Sequence, residues 1–308
     1  MRRYERVRWT RSALLLFSLW LCNHQIVWAA GDADQKLEER GPQEIERPWQ
    51  VSFAPTVSTG TYGTDTRTTL IYAPLSVRRL FRNGDISVTV PWVTIHSTGA
   101  VRLVGDRPNR TSNSGRGSSG SSGSGSGSEN VTKDKGADDD PLPSATTDMG
   151  LGDVIIRGRY YVVDEGDYVP LVAVTGRIKL PTASESRGLG TGKFDEGIGL
   201  EVSKGIGLDW LIFVDGGYTF IGKPEGTNFR DQWWYDIGLG YYVTDRWLMS
   251  VYYEEYRSII PGLDNPRDVY VSSMYKLSAA WRITASALVG LSDGAPDFGG
   301  TIGVSYRF

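Results

Sequence analysis

From Trp49 to the end of the chain one pattern recurs: segments, most of about 10 to 13 residues, in which apolar and polar side chains alternate. Alternation over that length is the mark of a strand with one apolar and one polar face. In Asp85–Ile95, for instance, Ile86, Val88, Val90 and Trp92 oppose Ser87 and Thr89. The other segments are Gln50–Ser58, Arg67–Pro74, Asp153–Val162, Tyr168–Leu180, Asp195–Lys204, Asp209–Phe220, Gln232–Val243, Arg246–Tyr256, Asp268–Leu277, Trp281–Val289 and Phe298–Phe308, which makes twelve strands. Most are long enough to cross a hydrocarbon layer at a tilt, whereas strands of soluble sandwiches usually run about 5 or 6 residues. No run of about 20 apolar residues exists, which excludes a helical membrane protein. The predicted fold is all-β: a transmembrane, antiparallel, up-and-down β-barrel of about twelve strands.

The connections alternate in length. Asp164–Asp167, Gly205–Leu208, Thr244–Asp245 and Ser278–Ala280 are short; His96–Gly152, Pro181–Phe194, Ile221–Asp231 and Ser258–Arg267 are long. Outer-membrane barrels have short periplasmic turns and longer external loops. Leu75–Gly84 would be the longest inner turn and fits least well. The longest outer connection contains a Ser/Gly-rich insert, residues 107–148, with no Phe, Tyr or Trp between Thr94 and Met149. Such a composition cannot bury a core and predicts a disordered, solvated external loop.

The first 29 residues read as a secretory signal peptide: Arg2, Arg3, Arg6, Arg8 and Arg11, then the short apolar core Ala13–Leu21, then Val27-Trp28-Ala29 before a cut after Ala29 or Ala30. Residues 30–48 form a polar lead-in, and the barrel occupies 49–308. The single cysteine, Cys22, falls within the signal, so the mature chain offers no thiol or disulfide. The signal carries a net +4, and its removal takes the formal charge from -3 to -7. An acidic mature chain gives no support for nucleic-acid binding.

The polar strand faces carry charge. Arg157, Arg159, Arg177 and Lys179 concentrate in two neighbouring strands, whereas Glu201, Asp215, Asp236 and Glu254 lie further on, followed by Lys276, Arg282 and Arg307. A lipid-facing charge near mid-bilayer costs about 2–4 kcal/mol, so this face should line the lumen. Arg157, Arg159, Arg177, Lys179, Asp215, Asp236 and Glu254 are the candidate lumen-lining residues. Two readings of them stand: pairing that plugs a narrow interior, or a transverse field that orients polar solutes. The opposite face is apolar, and Trp210, Trp233, Trp247 and Trp281 sit near strand ends, where interfacial aromatic girdles belong.

Other motifs carry less. Gly188-Leu189-Gly190-Thr191-Gly192 lacks the Lys-Ser/Thr ending of a phosphate loop and opens no helix, so it reads as an external loop. His96 is the one histidine of the mature chain; Ser97 beside it points the opposite way in a strand, and no catalytic residue is assigned. Asp134 and Asp138–Asp140 read as solvated loop, and no His/Cys cluster supports a metal. No cofactor is implied. The alternating end Val304-Ser305-Tyr306-Arg307-Phe308 resembles the C-terminal signal that outer-membrane assembly machinery reads.

Several stretches resemble the outer-membrane family labelled as phenol-degradation meta-pathway (MetA-pathway) proteins. They are Val90-Pro91-Trp92, Gly152-Asp153-Val154, and Lys179-Leu180-Pro181-Thr182 followed by Gly188–Gly192 and Asp195. Ala183 stands where the family usually has glycine, and the Ser/Gly insert is atypical. The resemblance covers about Trp49 to Phe308. It implies a barrel and uptake of hydrophobic or aromatic compounds, and no catalytic residue. The expectation is therefore a passive channel or transporter for small molecules in the bacterial outer membrane, its partners being lipid, the assembly machinery and a solute. The alternatives are a closed structural or adhesive barrel and, third, a barrel-embedded lipid hydrolase.

Overall fold

The computed structural model describes residues 46–97, 101–104, 107–110 and 146–308. The expected signal peptide, most of the expected lead-in and most of the Ser/Gly-rich insert lie outside the described residues. Sixteen strand segments in chain order build the fold: β1 (Trp49–Phe53), β2 (Thr56–Gly60), β3 (Thr68–Phe81), β4 (Gly84–Ser97), β5 (Val101–Val104), β6 (Arg107–Arg110), β7 (Thr146–Leu151) and β8 (Val154–Val163) come first. Then follow β9 (Leu171–Leu180), β10 (Asp195–Ile206), β11 (Trp210–Phe220), β12 (Gln232–Thr244), β13 (Trp247–Tyr256), β14 (Arg267–Lys276), β15 (Trp281–Gly290) and β16 (Phe298–Arg307).

Fourteen of these segments form twelve barrel strands. β1 and β2 share one position, since both pair with β3 and with β16. β7 and β8 share another, both pairing with β4. Every neighbouring pair is antiparallel, and the β1/β2 pairing with β16 closes the wall. The expected all-β barrel of twelve strands is the observed fold.

The two interruptions have a common cause in proline. Pro74 and Pro91 face each other across β3 and β4, and neither has an amide to donate. On the far side of Pro74 the first strand breaks at Ala54-Pro55; on the far side of Pro91 the fourth breaks at Gly152-Asp153. Each missing donor therefore sits where its neighbour leaves the ladder. Pro74 does not end a strand: β3 runs on to Phe81, and the suspiciously long inner turn shrinks to Arg82-Asn83. β9 starts at Leu171, three residues later than the alternation suggests. The turn before it is held by Glu165, whose Oε1 accepts from Gly205 N (2.9 Å) and Lys204 Nζ (3.1 Å).

The insert also needs correction at its ends. Residues 107–110, assigned to disordered loop, form β6, which hairpins with β5; residues 146–148 belong to β7. Val101 and Leu103 are buried, and Leu103 packs with Leu70, Tyr72, Val93, Ile95 and Leu189. All four barrel members of that cluster are on the inward faces of β3 and β4, so the hairpin lies inside the barrel. Composition dominated by Ser and Gly further along masks this short apolar start.

The faces separate as the alternation requires. Inward positions are buried; outward ones form an apolar band that includes Val77, Val88, Ile212, Val214, Val251 and Ile302. Aromatic rings rim the band. At the short-turn end Trp210 meets Tyr241 (centroids 4.8 Å) and Trp281 meets Tyr306 (4.7 Å), with Trp247 nearby in the same belt. At the long-loop end Trp233 stacks with Tyr235, and Tyr218 meets Phe220 edge-to-face. Amphipathic rings at both rims of an apolar band are the arrangement of a membrane-spanning barrel.

Candidate functional site

The interior is built from charge held in register. Glu201, Asp215, Asp236, Glu254 and Asp268 sit on five consecutive strands, β10 to β14, and each is the direct cross-strand partner of the next. All five face inward and are at most 2% exposed. Neighbouring strands lie about 4.8 Å apart, so the ladder spans about 19 Å of inner wall. Like charges directly opposite destabilise a sheet, so such a row persists only against compensation.

Cations stand at both ends. Arg159, on β8, reaches Glu201 through Nε (2.8 Å) and Asp85 through Nη1 (3.5 Å); Asp85 also pairs with Arg78 at 2.5 Å. At the other end Arg107, from the β5–β6 hairpin, pairs with Glu254 and with Asp268 (3.2 Å). Its guanidinium lies 3.7 Å from the centroid of the Tyr256 ring. Between these ends, Asp215 Oδ1 accepts from Val202 N at 3.1 Å, whereas Asp215 Oδ2 and Asp236 Oδ1 have no hydrogen-bond partner among the described residues.

Of the sequence candidates, Arg159, Asp215, Asp236 and Glu254 thus come together in one network. Arg157 and Arg177 face each other across β8 and β9, half-buried on the inward side. Lys179 stands apart. Fully buried at the long-loop end of β9, it lies 2.8 Å from Asp195, 3.2 Å from Asp153 and 2.8 Å from the Thr191 hydroxyl. Asp153 also accepts from Ala183 N (2.9 Å), and Asp195 from Gly222 N (2.9 Å). Thr182 donates to Gly152 O and accepts from Val154 N. The Lys-Leu-Pro-Thr stretch and the glycine run therefore tie three strand ends and two loops around one ammonium. Gly190 is required there: a Cβ would come within 2.7 Å of Asp153 Oδ2 and 2.8 Å of the Ala183 Cβ.

Aromatic side chains flank the ladder. Towards the short-turn end Phe213, Tyr252 and Tyr270 occupy the next inward positions, Tyr252 and Tyr270 stacked at 4.8 Å. On the long-loop side Trp234 is 5% exposed and lies against Gly199 and Gly217. Sequence reasoning missed Asp268, Asp85, Arg78 and Arg107 as members of this network. His96 is on the outward face of β4, its Nδ1 2.8 Å from Thr147 Oγ1, while Ser97 faces inward. Among the described residues no group of three or more His, Cys, Asp or Glu side chains is arranged to hold a metal ion.

Residues 83–308 match the family described as "Putative MetA-pathway of phenol degradation". No curated protein sequence matches the chain. Among solved structures, an outer membrane channel from Pseudomonas putida F1 superposes with a TM-score of 0.62 at 10% identity, covering 86% of this chain and 97% of that one. The KdgM porin gives 0.49 at 9% identity over 84% and 99%. The transport unit of the autotransporter AIDA-I from Escherichia coli gives 0.48 at 7% over 91% and 98%. Identities this low speak to fold alone.

Proposed function

Because the chain belongs to the family described as "Putative MetA-pathway of phenol degradation", we propose that it is a bacterial outer-membrane barrel that passes small molecules, aromatic ones among them, through its interior. The observation that carries the reading is the segregation of the wall: apolar residues rimmed by aromatic rings outside, and a registered ladder of five carboxylates edged by arginines and aromatic rings inside. A barrel that served as a mere scaffold would gain more stability from an apolar filling than from buried like charges. Arg157, Arg159, Arg177, Asp215, Asp236 and Glu254 orient the solute and set selectivity without bond chemistry; Lys179 fixes the external loops that frame the entrance. The C-terminal strand ending at Phe308 is the segment that assembly machinery reads. The short turns lie in the periplasm and the long loops outside.

A second reading, a closed structural barrel, is favoured by the pairing of Arg107 and Arg159 across the ladder and by the hairpin inside the wall. Single-channel recording in planar bilayers decides between them. Discrete conductance steps that a small aromatic solute blocks are expected, as is a change in ion selectivity when Arg159→Glu is introduced; a folded but silent barrel overturns the channel reading.

A further inference from the structure

Arg107 reveals what the ladder recognises. One guanidinium is held by two carboxylates, Glu254 and Asp268, with the face of Tyr256 beside it. This is the chemistry of an organic-cation site: charge-assisted hydrogen bonds to carboxylates and an aromatic ring on the cation's flank. The next two rungs, Asp236 and Asp215, repeat the pattern. They are direct cross-strand partners, 1% and 2% exposed, and Trp234 is the adjoining inward residue on the strand of Asp236. Here no cation among the described residues forms an ion pair with either carboxylate: Asp215 Oδ2 and Asp236 Oδ1 have no hydrogen-bond partner among them. A buried carboxylate is retained when something positive or hydrogen-bonding meets it. Arg159 is engaged by Glu201 and Asp85, and Arg107 by the two rungs at the far end.

From this geometry we infer that Asp215 and Asp236 bind the cationic head of a small organic ammonium or guanidinium solute, its apolar body lying against the neighbouring aromatic rings. The inference rests on the interior being a solute path, as proposed above, and narrows the solute to amines and guanidines rather than neutral or acidic aromatics. Arg107 is then a resident competitor, a tethered cation occupying one end of the same ladder, and solutes advance by exchanging carboxylates along it.

The test uses the full barrel refolded in detergent and isothermal titration with three probes of one ring: benzylammonium, benzyl alcohol and benzoate. Saturable binding of benzylammonium is expected, with benzyl alcohol and benzoate at least tenfold weaker. The pair Asp215→Asn and Asp236→Asn, isosteric and checked by circular dichroism, should weaken benzylammonium at least tenfold. Arg107→Gln, which leaves that pair untouched and frees two further carboxylates, should raise affinity or stoichiometry at least threefold. Equal binding of benzylammonium and benzyl alcohol, unchanged affinity in the double variant, or no saturable benzylammonium binding overturns the site. Should the double variant fail to fold, the charge preference and the Arg107→Gln gain decide the matter. Bilayer recording separates the two proposals: benzylammonium that binds to a silent barrel sinks the channel reading alone, and conductance without charge preference sinks the cation site alone.

Discussion

At the scale of the residue, the inward face sets strict demands on charge and on space. Lys179 is the clearest case, because among the described residues its ammonium is the cation that pairs with both Asp153 and Asp195, each at most 2% exposed. Replacing it with methionine leaves two buried carboxylates uncompensated, and breaking a buried pair costs about 3–5 kcal/mol. Lys179→Met should therefore lower the urea midpoint of unfolding markedly, whereas Lys179→Met combined with Asp153→Asn and Asp195→Asn should recover much of the loss. Gly238 makes a steric counterpart. A Cβ there would fall 1.9 Å from Phe213 Cζ and 2.6 Å from the Tyr252 Cβ, so the ring of one strand occupies the space that glycine leaves on the next. Gly238→Ala should destabilise by about 1–3 kcal/mol through overpacking, and Phe213→Leu should relieve part of that cost in a double-mutant cycle.

At the scale of the element, the strands were legible because alternation registers burial directly, and the breaks were not. Arg67–Pro74 ends in the sequence reading at a residue that cannot donate, yet β3 continues, since the gap in the strand beside it removes the need for that donor. The acidic ladder was nearly legible: Glu201 and Asp215 are spaced evenly about Leu208, and Asp236 and Glu254 about Asp245. Short hairpins fix register, so the pairings within each hairpin follow from the sequence; joining the two hairpins across a long loop does not. The β5–β6 hairpin was hidden for a different reason. Its apolar content is Val101, Leu103 and Val104, too little to signal a core until the barrel supplies Leu70, Val93 and Ile95 around Leu103. Leu103→Asp should expel the hairpin from that pocket, and single-channel conductance should then rise severalfold; unchanged conductance would mean that the hairpin does not obstruct the path.

At the scale of the whole molecule, the barrel is an inverted protein, with charge inside and hydrocarbon outside, and its response to mutation should be inverted as well. Val214, 45% exposed on the outward face of β11, sits one residue from the fully buried Asp215. Val214→Lys places an ammonium in the apolar band and should cost about 2–4 kcal/mol if it lies near mid-bilayer, measured by urea titration in liposomes. The same substitution on a soluble protein's surface would be nearly silent.

Closure has a temporal side. The wall is completed where β16 meets β1 and β2, and there the hydroxyls of Thr56 and Thr301, 245 positions apart in sequence, lie within 2.7 Å. Every other seam joins successive barrel strands, the widest separation being across the insert between β4 and β7. Hairpin by hairpin the sheet can grow locally and fast, but its two free edges stay open until the last strand arrives. The rate of that longest-range encounter, rather than the strength of any one rung, sets how long the unfinished barrel is exposed to aggregation.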